Sequence, residues 1–376
     1  MKLSPPTILY VSLWPWEDLR QRPQHLALQL SCKYNVIYTS AIPYFSGHSS
    51  KIISVKNFGI VDENKINNRL TVLNYKFLPS WRFIAIKKLN FKKWLSTIST
   101  YLERSRITVD VLWVSSPDHL LFIKGINSKL KCYDCMDNFE MFNQKLKLPE
   151  QKLFCDVDVC FVSASLLEKK ALKFNKEVYL IPNGVDVEHF QSALESSFDV
   201  PEDLKNIPMP CVGFYGNMGT WLDYEIIEDL LKKTTYSIVL IGSVNSNEVK
   251  KLLKKKSRIF FLGKKPYKFL PAYLAHIPLW ILPFQDTELT RAVDPVKVYE
   301  YLAAGRDVVA TPLPAILQHK KHLKIASPEA FHEILHEYVK NPSSYEERIQ
   351  KSKAMRKHSW QNRAQTVMTV LKNLGN

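Results

Sequence analysis

The chain has 376 residues, of which 46% are hydrophobic and 23% are charged, and its formal net charge at pH 7 is +16. This length suits two domains that each bury a core, and the composition excludes an intrinsically disordered chain. The positive excess is spread over both halves of the chain and fits partners that carry negative charge: nucleic acid, an anionic membrane surface or phosphorylated substrates.

The N-terminal region contains no convincing targeting segment. Residues 8–13 form an apolar stretch that is too short for the hydrophobic part of a signal peptide, and Pro5 and Pro6 interrupt the segment before it. No apolar run approaches the roughly 18 residues that a membrane-spanning helix needs. We therefore expect a protein that is cytosolic or lies on a membrane surface.

The chain begins with a predicted strand at residues 7–12 and a predicted helix at residues 22–30. This opening is typical of α/β folds, in which ligands bind beyond the carboxyl ends of parallel strands. Trp14, Arg22 and His25 are therefore candidate ligand contacts, although His25 could equally make a structural hydrogen bond. No G-x-G-x-x-G motif follows the strand, which argues against a dinucleotide-dependent dehydrogenase.

A basic segment follows two further predicted strands, at residues 36–39 and 70–73. Between residues 76 and 106 there are eight basic residues, and Glu103 alone opposes them. Lysines interleaved with aromatic and aliphatic residues predict an amphipathic helix that lies in a membrane interface. A core helix with a solvated lysine face explains the same pattern, and the sequence leaves both interpretations open.

Acidic side chains follow the next predicted strands, at residues 110–115 and 131–134. The first strand leads to His119, and the second carries Asp134 and opens on Asp137. A carboxylate at this edge of a sheet could act as a base or contact a sugar hydroxyl. Either aspartate could instead cap the helix that follows it.

Four of the six cysteines lie close together in the sequence, at positions 132, 135, 155 and 160. Their spacing is compatible with a zinc site or a redox pair. Cys160, however, falls inside a buried-strand pattern at residues 157–163, where cysteine behaves as a small hydrophobic residue. We therefore predict free thiols in a reducing compartment.

A second series of strands and helices begins after a predicted linker at residues 187–208, and its strands are predicted at residues 210–215, 237–241, 259–262, 279–282 and 308–310. Gly216 and Asn217 follow the first of these strands. Backbone N–H groups without a covering side chain can approach a phosphate there, although an ordinary turn is the alternative.

The segment from Asp294 to Gly305 predicts a short helix, with Asp294 as N-cap, proline at the first helical position and a left-handed glycine at the end. Lys297 and Glu300 should share an exposed face. A lysine near a helix N-terminus favours a phosphate, and Glu300 could accept hydrogen bonds from a ribose diol. The alternative is an exposed i,i+3 ion pair.

Several motifs together resemble the GT-B glycosyltransferases, especially bacterial enzymes of the teichuronic-acid type. They are Trp14 with residues 22–27, and residues 133–137, 182–186, 213–216, 262–263, 282–284 and 294–305. The resemblance implies two doubly wound Rossmann-like domains that face a cleft. We expect an acceptor domain at residues 1–190, a nucleotide-sugar domain at residues 205–358, and a last helix, residues 359–376, that crosses back to the first domain.

The resemblance also implies roles for individual residues. The donor, a UDP- or GDP-sugar, would contact the second domain, and a lipid-linked or oligosaccharide acceptor would contact the first. The expected catalytic residues are Asp137, Asp134 and His119. The donor-binding residues are Gly216, Asn217, Gly263, Lys264, Tyr267, Arg291, Lys297 and Glu300, and the acceptor-binding residues are Trp14, Arg22 and His25. No metal or cofactor is expected, and such an enzyme would lie on the inner face of the plasma membrane.

One position departs from the family pattern. Retaining enzymes of this type carry a second glutamate eight positions before Glu300, and Ala292 occupies that position here. An inverting mechanism with Asp137 as the base is therefore at least as plausible as a retaining one. Rival functions are a nucleotide-sugar 2-epimerase on the same fold, a non-catalytic scaffold, and a basic nucleic-acid-binding protein; the chain has no recognised nucleic-acid motif.

Overall fold

The computed structural model describes residues 5–17, 20–42, 60–77, 84–195, 198–245, 250 and 257–375. The chain forms two compact units. The first comprises Met1–Pro182 and Arg363–Asn376, and the second comprises Asn183–Asn362. Each unit is built around a β-sheet of its own.

The sheet of the first unit has the strand order β3-β4-β2-β1-β5-β6-β7-β8 in the part of the chain that the structure describes. Its strands are β1 Thr7–Ser12, β2 Asn35–Ile42, β3 Ile60–Asn67, β4 Leu70–Lys76, β5 Val111–Val114, β6 Leu130–Cys135, β7 Val159–Val162 and β8 Val178–Leu180. Only β3 runs antiparallel to its described neighbour, and the other pairs are parallel.

Helices connect these strands and cover the sheet. The α-helices assigned to this unit are Arg22–Leu30, Ile84–Arg104, Leu120–Gly125, Phe139–Phe142, Lys147–Asp156 and Ser165–Ala171. The last helix, Trp360–Leu374, belongs to this unit from Arg363 onward. The central strands are buried on both faces, which is why they read as continuous apolar runs.

The second sheet has the order β11-β10-β9-β12-β13-β14, with every pair parallel among the described residues. Its strands are β9 Cys211–Met218, β10 Ser237–Val244, β11 Ile259–Gly263, β12 Leu279–Leu282, β13 Asp307–Ala310 and β14 Lys324–Ile325. This is the order 3-2-1-4-5-6 of Rossmann sheets. The doubly wound α/β architecture predicted from the sequence is confirmed for both units.

The described α-helices of the second unit are Val187–Glu195, Tyr224–Lys233, Leu270–His276, Glu288–Arg291, Val296–Ala303, Pro314–Leu317, Phe331–Lys340 and Tyr345–Met355. The helix Val187–Glu195 lies where a linker was expected. Phe190 and Ala193 on this helix are buried in the core of the second unit, and so are Leu204 and Ile207 beyond it. These residues are therefore part of the second unit rather than a linker before it, because an apolar stripe packs them into its core.

The strands β3 and β14 were not predicted, and both lack an apolar pattern. The residues of β3 whose side chains are described are all exposed, so this edge strand is held by backbone pairing with β4 rather than by burial. β14 has two residues. A sequence search for apolar periodicity therefore misses both strands.

Each sheet reverses its winding direction at one point. In the second sheet the chain moves outward from β9 to β10 and β11, and then crosses to β12 on the other side of β9. In the first sheet the reversal lies between β1 and β5. Ligands of open α/β sheets bind outside the carboxyl ends of the strands at such a point.

Candidate functional site

Two glycines face each other near the carboxyl ends of β9 and β10. Gly216 has φ +148° and pairs in register with Gly242, which has φ +138°. A Cβ added to Gly242 would lie 1.8 Å from the Gly216 carbonyl oxygen, so the two strands can approach this closely only without a side chain there. Asn217 accepts a hydrogen bond from Ser243 Oγ at 3.2 Å. Gly216 and Asn217 are thus strand residues, and the alternative of an ordinary turn is wrong.

Lys297 lies against this strand end. Its Nζ is 2.9 Å from Glu300 Oε2 and 4.7 Å from the centre of the Tyr215 ring. A Cβ on Gly216 would lie 3.6 Å from Lys297 Cε, so the lysine stem runs directly past the glycine. The Lys297 side chain is 26% exposed. The structure therefore brings Gly216, Lys297 and Glu300 together at the switch point of the second sheet.

The expectation of an exposed Glu300 is wrong. Glu300 is 2% exposed, and its Oε2 also accepts a hydrogen bond from Tyr215 Oη at 2.7 Å. Burial, together with the Glu300 carboxylate, raises the pKa of Tyr215 well above its usual value, so Tyr215 remains a donor. The helix Val296–Ala303 packs against the helices Val187–Glu195 and Tyr345–Met355, and its Glu300 faces Tyr215 of β9, so residues 298–303 are all buried.

Asp294 does not cap this helix as predicted. The N-cap is Pro295, which supplies no side-chain hydrogen bond. The Asp294 carboxylate instead accepts hydrogen bonds from Tyr299 Oη at 2.9 Å and from the Asn183 backbone N–H at 2.5 Å. Gly305 ends the helix in the left-handed conformation, with φ +64°, as its sequence position indicates.

The other residues expected to bind the donor lie in surroundings that differ from one residue to the next. Gly263 ends β11 with φ +66° and open space around its α-carbon, and Lys264 beyond it is exposed. The Tyr267 ring stacks on His189 with 4.5 Å between the ring centres. Arg291 is more than half exposed and forms a two-point ion pair with Asp286 at 2.6 and 2.8 Å.

In the first unit, Asp134 and Arg22 form a buried ion pair. Arg22 Nε lies 2.9 and 3.0 Å from the two Asp134 oxygens, and Arg22 Nη2 lies 2.8 Å from Oδ1. Arg22 Nη1 donates to the Ile181 carbonyl at 2.7 Å. Both side chains are almost fully buried. Asp134 was expected to be a catalytic carboxylate at the edge of the sheet. Both of its oxygens are instead bound by Arg22.

His119 lies in an aromatic cluster on the first sheet. It is 2% exposed, and the rings of Phe91, Trp94 and Phe122 surround it, with centres 5.5 to 6.3 Å away. Burial, assisted by the nearby Lys87, lowers the pKa of His119 to about 3. His119 is therefore a neutral, buried side chain at any physiological pH.

Asp137 has a different environment from Asp134 and His119. It follows the carboxyl end of β6 and is half-buried. Burial raises the pKa of Asp137 to about 7. Among the described residues, none forms a hydrogen bond or ion pair with its carboxylate. A carboxylate with a pKa near neutrality and free oxygens meets the requirements for a general base.

The aromatic and basic residues expected to bind the acceptor lie on two elements near the switch point of the first sheet. Trp14 follows β1, is half-buried, and its carbonyl oxygen accepts a hydrogen bond from Tyr38 Oη at 2.6 Å. His25 is 4% exposed within the helix Arg22–Leu30. Of these residues Trp14 is the more accessible.

Comparison with known proteins agrees with this geometry. Residues 210–341 match the family described as "Glycosyl transferases group 1". Solved structures that resemble the whole chain include sucrose-phosphate synthase from Thermosynechococcus elongatus, with a TM-score of 0.72 at 10% identity over 98% of this chain and 99% of that one. The chain has the GT-B fold. The fold and the glycosyltransferase resemblance predicted from the sequence are thereby confirmed.

Two other GT-B structures contain nucleotides or sugars by their own descriptions. "Trehalose-6-phosphate from E. coli bound with UDP-2-fluoro glucose" has a TM-score of 0.71 at 11% identity, over 97% of this chain and 99% of that one. Anabaena HepE in complex with UDP and glucose has a TM-score of 0.69 at 13% identity, with the same coverage. At such identities the likeness establishes the fold alone.

One protein that is similar in sequence matches only part of the chain. A Bacillus subtilis (strain 168) protein named as a candidate teichuronic acid biosynthesis glycosyltransferase, TuaH, is 24% identical over 230 residues. The match covers 56% of this chain and 57% of the relative, so the chain spans little more than half of the relative's length.

The basic helix of this GT-B chain, Ile84–Arg104, has its aromatic residues on the inner side. Trp94 is 1% exposed, and Phe91 packs edge-on against Phe77 with 5.2 Å between ring centres. Lys87 pairs with Asp118 at 2.8 Å, whereas Lys88, Lys92 and Lys93 are exposed. Insertion of the Trp94 ring into a membrane interface is therefore excluded, and residues 78–83 of the basic segment lie outside the described residues.

The cysteines are free thiols. All four positions of the predicted cluster are described, and Cys132, Cys135 and Cys160 are buried. Within the described ranges, no group of three or more His, Cys, Asp or Glu residues could hold a metal ion, and no helix is long and apolar enough to cross a membrane.

Four residues that were not predicted lie beside the candidate donor and base residues. Tyr215 and Gly242 complete the surroundings of Lys297, and a glycine after the apolar run of β10 was the available signal for Gly242. Glu150 and Lys170 lie beside the loop that carries Asp137, and their spacing in the sequence does not indicate this position.

Proposed function

We propose that this chain transfers a glycosyl group, hexosyl or glycuronosyl, from a UDP- or GDP-sugar to a growing bacterial surface polysaccharide. The observation that carries the proposal is the position of Lys297 beside Gly216, at the switch point of a Rossmann sheet. A phosphate placed there meets an ammonium group and a strand end without side-chain obstruction. The resemblance to the teichuronic acid protein supports a polysaccharide acceptor, lipid-linked or oligosaccharide.

In the proposed donor site, the Glu300 carboxylate contacts both Lys297 and the donor ribose. Glu300 Oε2 holds the Lys297 ammonium, which would stabilise the diphosphate as it leaves the sugar. Glu300 Oε1 would accept hydrogen bonds from the ribose hydroxyls. No metal ion is required in this proposal, since the lysine supplies the positive charge.

The proposed chemistry is a single displacement. The acceptor hydroxyl oxygen attacks the anomeric carbon, the bond from that carbon to the diphosphate breaks, and the hydroxyl proton passes to Asp137. The nucleoside diphosphate leaves with the bonding electron pair. The free oxygens of Asp137 and its pKa of about 7 support this role. Such a displacement inverts the anomeric configuration.

The function is tested directly by transfer. The protein is first screened by thermal shift against UDP-glucose, UDP-glucuronic acid, UDP-N-acetylglucosamine and GDP-mannose. The stabilising donor, radiolabelled in the sugar, is then incubated with lipid-linked oligosaccharides from a bacterial membrane extract. We expect label in the lipid fraction. Conversion of the donor to another nucleotide sugar without an acceptor would indicate a 2-epimerase instead.

A Glu300→Gln substitution tests the ribose contact. We expect binding of UDP to weaken by about 10-fold to 150-fold, because a hydrogen bond to a charged group contributes about 1.5–3 kcal/mol. The 2′,3′-dideoxy analogue of UDP lacks the hydroxyls and should lose much less affinity. Calorimetry of both ligands on both proteins is the measurement. Equal losses would show that Glu300 acts only through Lys297 and the fold.

We further propose that the enzyme lies peripherally on the inner face of the plasma membrane, attracted by Lys88, Lys92 and Lys93. Reversing these three charges to glutamate should weaken binding to phosphatidylglycerol vesicles by at least about 10²-fold, since each lysine contributes about 1 kcal/mol. Lys87 is left unchanged, because it is paired with Asp118.

The vesicle experiment needs a control of equal charge. Glutamate at three exposed lysines of the second unit, Lys320, Lys321 and Lys340, changes the net charge by the same amount. Sedimentation at low salt should separate the two triple variants, and the wild-type binding should fall as salt is raised. If both variants bind equally, the helix Ile84–Arg104 is not the membrane surface.

A further inference from the structure

The loop that carries Asp137 is fixed by hydrogen bonds to its backbone. Ser163 Oγ donates to the Met136 carbonyl at 2.9 Å. The Asp137 carbonyl accepts from the Phe139 N–H at 3.1 Å and from Cys135 Sγ at 3.6 Å. The peptide groups around Asp137 therefore have little freedom to turn, while its carboxylate is held by no described residue.

A cluster of charged side chains lies beside this loop. Glu150 is fully buried, and its Oε1 accepts a hydrogen bond from Tyr133 Oη at 3.0 Å. Its Oε2 lies 2.7 Å from Lys170 Nζ. The same ammonium group donates to Asn138 Oδ1 at 3.0 Å and lies 3.2 Å from Glu140. Lys170 thus connects the helix Lys147–Asp156 to the residue that follows Asp137.

The ion pairs of this cluster do not involve Asp137. Burial lowers the pKa of Lys170, but the carboxylates of Glu150 and Glu140 outweigh it, and the net effect raises the pKa. Lys170 is therefore a permanent cation held between two carboxylates. Because its three donors have partners, it does not reach the Asp137 carboxylate, whose pKa an unpaired cation would lower.

A structural role alone does not require charged groups at this place. A buried ion pair is costly to desolvate, and apolar residues of similar volume often stabilise a fold equally well. Apolar residues, however, could not hold the Asn138 side chain, which needs a hydrogen-bond donor. The arrangement of the cluster is thus directed at Asn138 and its neighbour in the chain.

We propose that Lys170, fixed by Glu150, is a positioning residue: it holds Asn138 and so aims the Asp137 carboxylate at the acceptor hydroxyl. This inference rests on the proposed function, in which Asp137 is the base. Reacting groups must meet within a few tenths of an ångström, and a misplacement of about 1 Å can lower a rate by about 10²-fold.

The test compares Lys170→Met with Lys169→Met on the folded, full-length protein. Lys169 is the exposed neighbour on the same helix and makes the same change of charge. We expect Lys170→Met to lower kcat by about 10²-fold, with little change in the acceptor KM or in UDP binding, because the ligands still bind and only the base is misplaced. Lys169→Met should keep wild-type kcat, and Lys170→Arg should recover part of the loss.

A second variant covers the case in which Lys170→Met does not fold. Asn138→Ala leaves the ions of the cluster in place and removes only the connection to the loop, so it should lower kcat in the same way. Wild-type kcat in either folded variant overturns the inference. If Asp137→Asn has normal turnover, the proposed base is wrong, whereas a collapsed Asp137→Asn with normal Asn138→Ala rejects the positioning role alone.

Discussion

Replacing Asp137 by asparagine is expected to lower turnover by roughly 10²–10⁴-fold, the usual loss when a general base is removed. Asparagine has nearly the same size but cannot take the acceptor proton. Donor affinity should stay nearly unchanged, because the proposed donor residues all belong to the second unit. Turnover with the acceptor and UDP binding by calorimetry are the two measurements.

The pH dependence of the wild-type enzyme provides a second signature of Asp137. Its pKa is raised to about 7 by burial, so the carboxylate is protonated at lower pH and cannot act as a base. Below about pH 7 the value of kcat/KM should therefore fall about tenfold per pH unit. The residual activity of Asp137→Asn should lack this limb.

Stability should change with pH in the opposite direction for the same group. Because the pKa of Asp137 is higher in the folded protein than its ordinary 3.8, folding favours the protonated form. Below about pH 4 the Asp137 carboxyl is protonated whether the protein is folded or unfolded, and it does not lower the free energy of unfolding. Between about pH 4 and pH 7 it lowers the free energy of unfolding progressively. Relative to wild type, the Tm of Asp137→Asn should be higher at pH 8 than at pH 5.

Product analysis decides between the chemical alternatives for Asp137. NMR of the product should show an inverted anomeric configuration. A retained configuration, or near-normal turnover of Asp137→Asn, would move the base role away from this residue. Neither Asp134, whose oxygens are bound by Arg22, nor His119, enclosed by aromatic rings, offers an equivalent group.

Replacing Lys297 by alanine is expected to weaken UDP binding by about 10-fold to 150-fold, the equivalent of the 1.5–3 kcal/mol of a hydrogen bond to a charged group. Uridine carries no phosphate and should bind nearly as well as to the wild type. Calorimetry with both ligands separates a contact to phosphate from general damage. Equal losses for UDP and uridine would contradict the assignment.

Two controls accompany the Lys297 experiment. Lys268→Ala removes an exposed lysine of the same unit and should leave UDP binding unchanged. Lys297→Ala also leaves the buried Glu300 carboxylate without its cation, which destabilises the fold. The double variant Lys297→Met, Glu300→Gln removes both charges, so its UDP affinity can be compared at restored stability.

The sequence by itself determined the architecture of the chain. Central strands of parallel sheets are buried on both faces, so β1, β9 and β12 appear as short apolar runs that can be recognised without a structure. The end of the helix Val296–Ala303 was equally clear, because a left-handed residue such as Gly305 is a property of the local backbone.

The surroundings of the functional side chains were decided by the tertiary structure. Arg22 and Asp134 are 112 positions apart and meet only because their elements adjoin the same sheet. Asp294 is not the N-cap of the helix Val296–Ala303, and Asn183 and Tyr299 are brought to its carboxylate instead. Such partners depend on topology, which the local pattern around each residue does not contain.

The sequence also did not indicate which helices would be buried on two sides. Helical periodicity indicates which stripe of a helix faces the nearest core, but not whether another element covers the opposite stripe. Glu300 is buried because its side of the helix faces Tyr215 of β9 while two further helices pack on the same helix, whereas Lys88, Lys92 and Lys93 are exposed. A charged residue on a helix is thus a buried partner of Lys297 in one unit, whereas charged residues of a helix in the other unit lie at the surface.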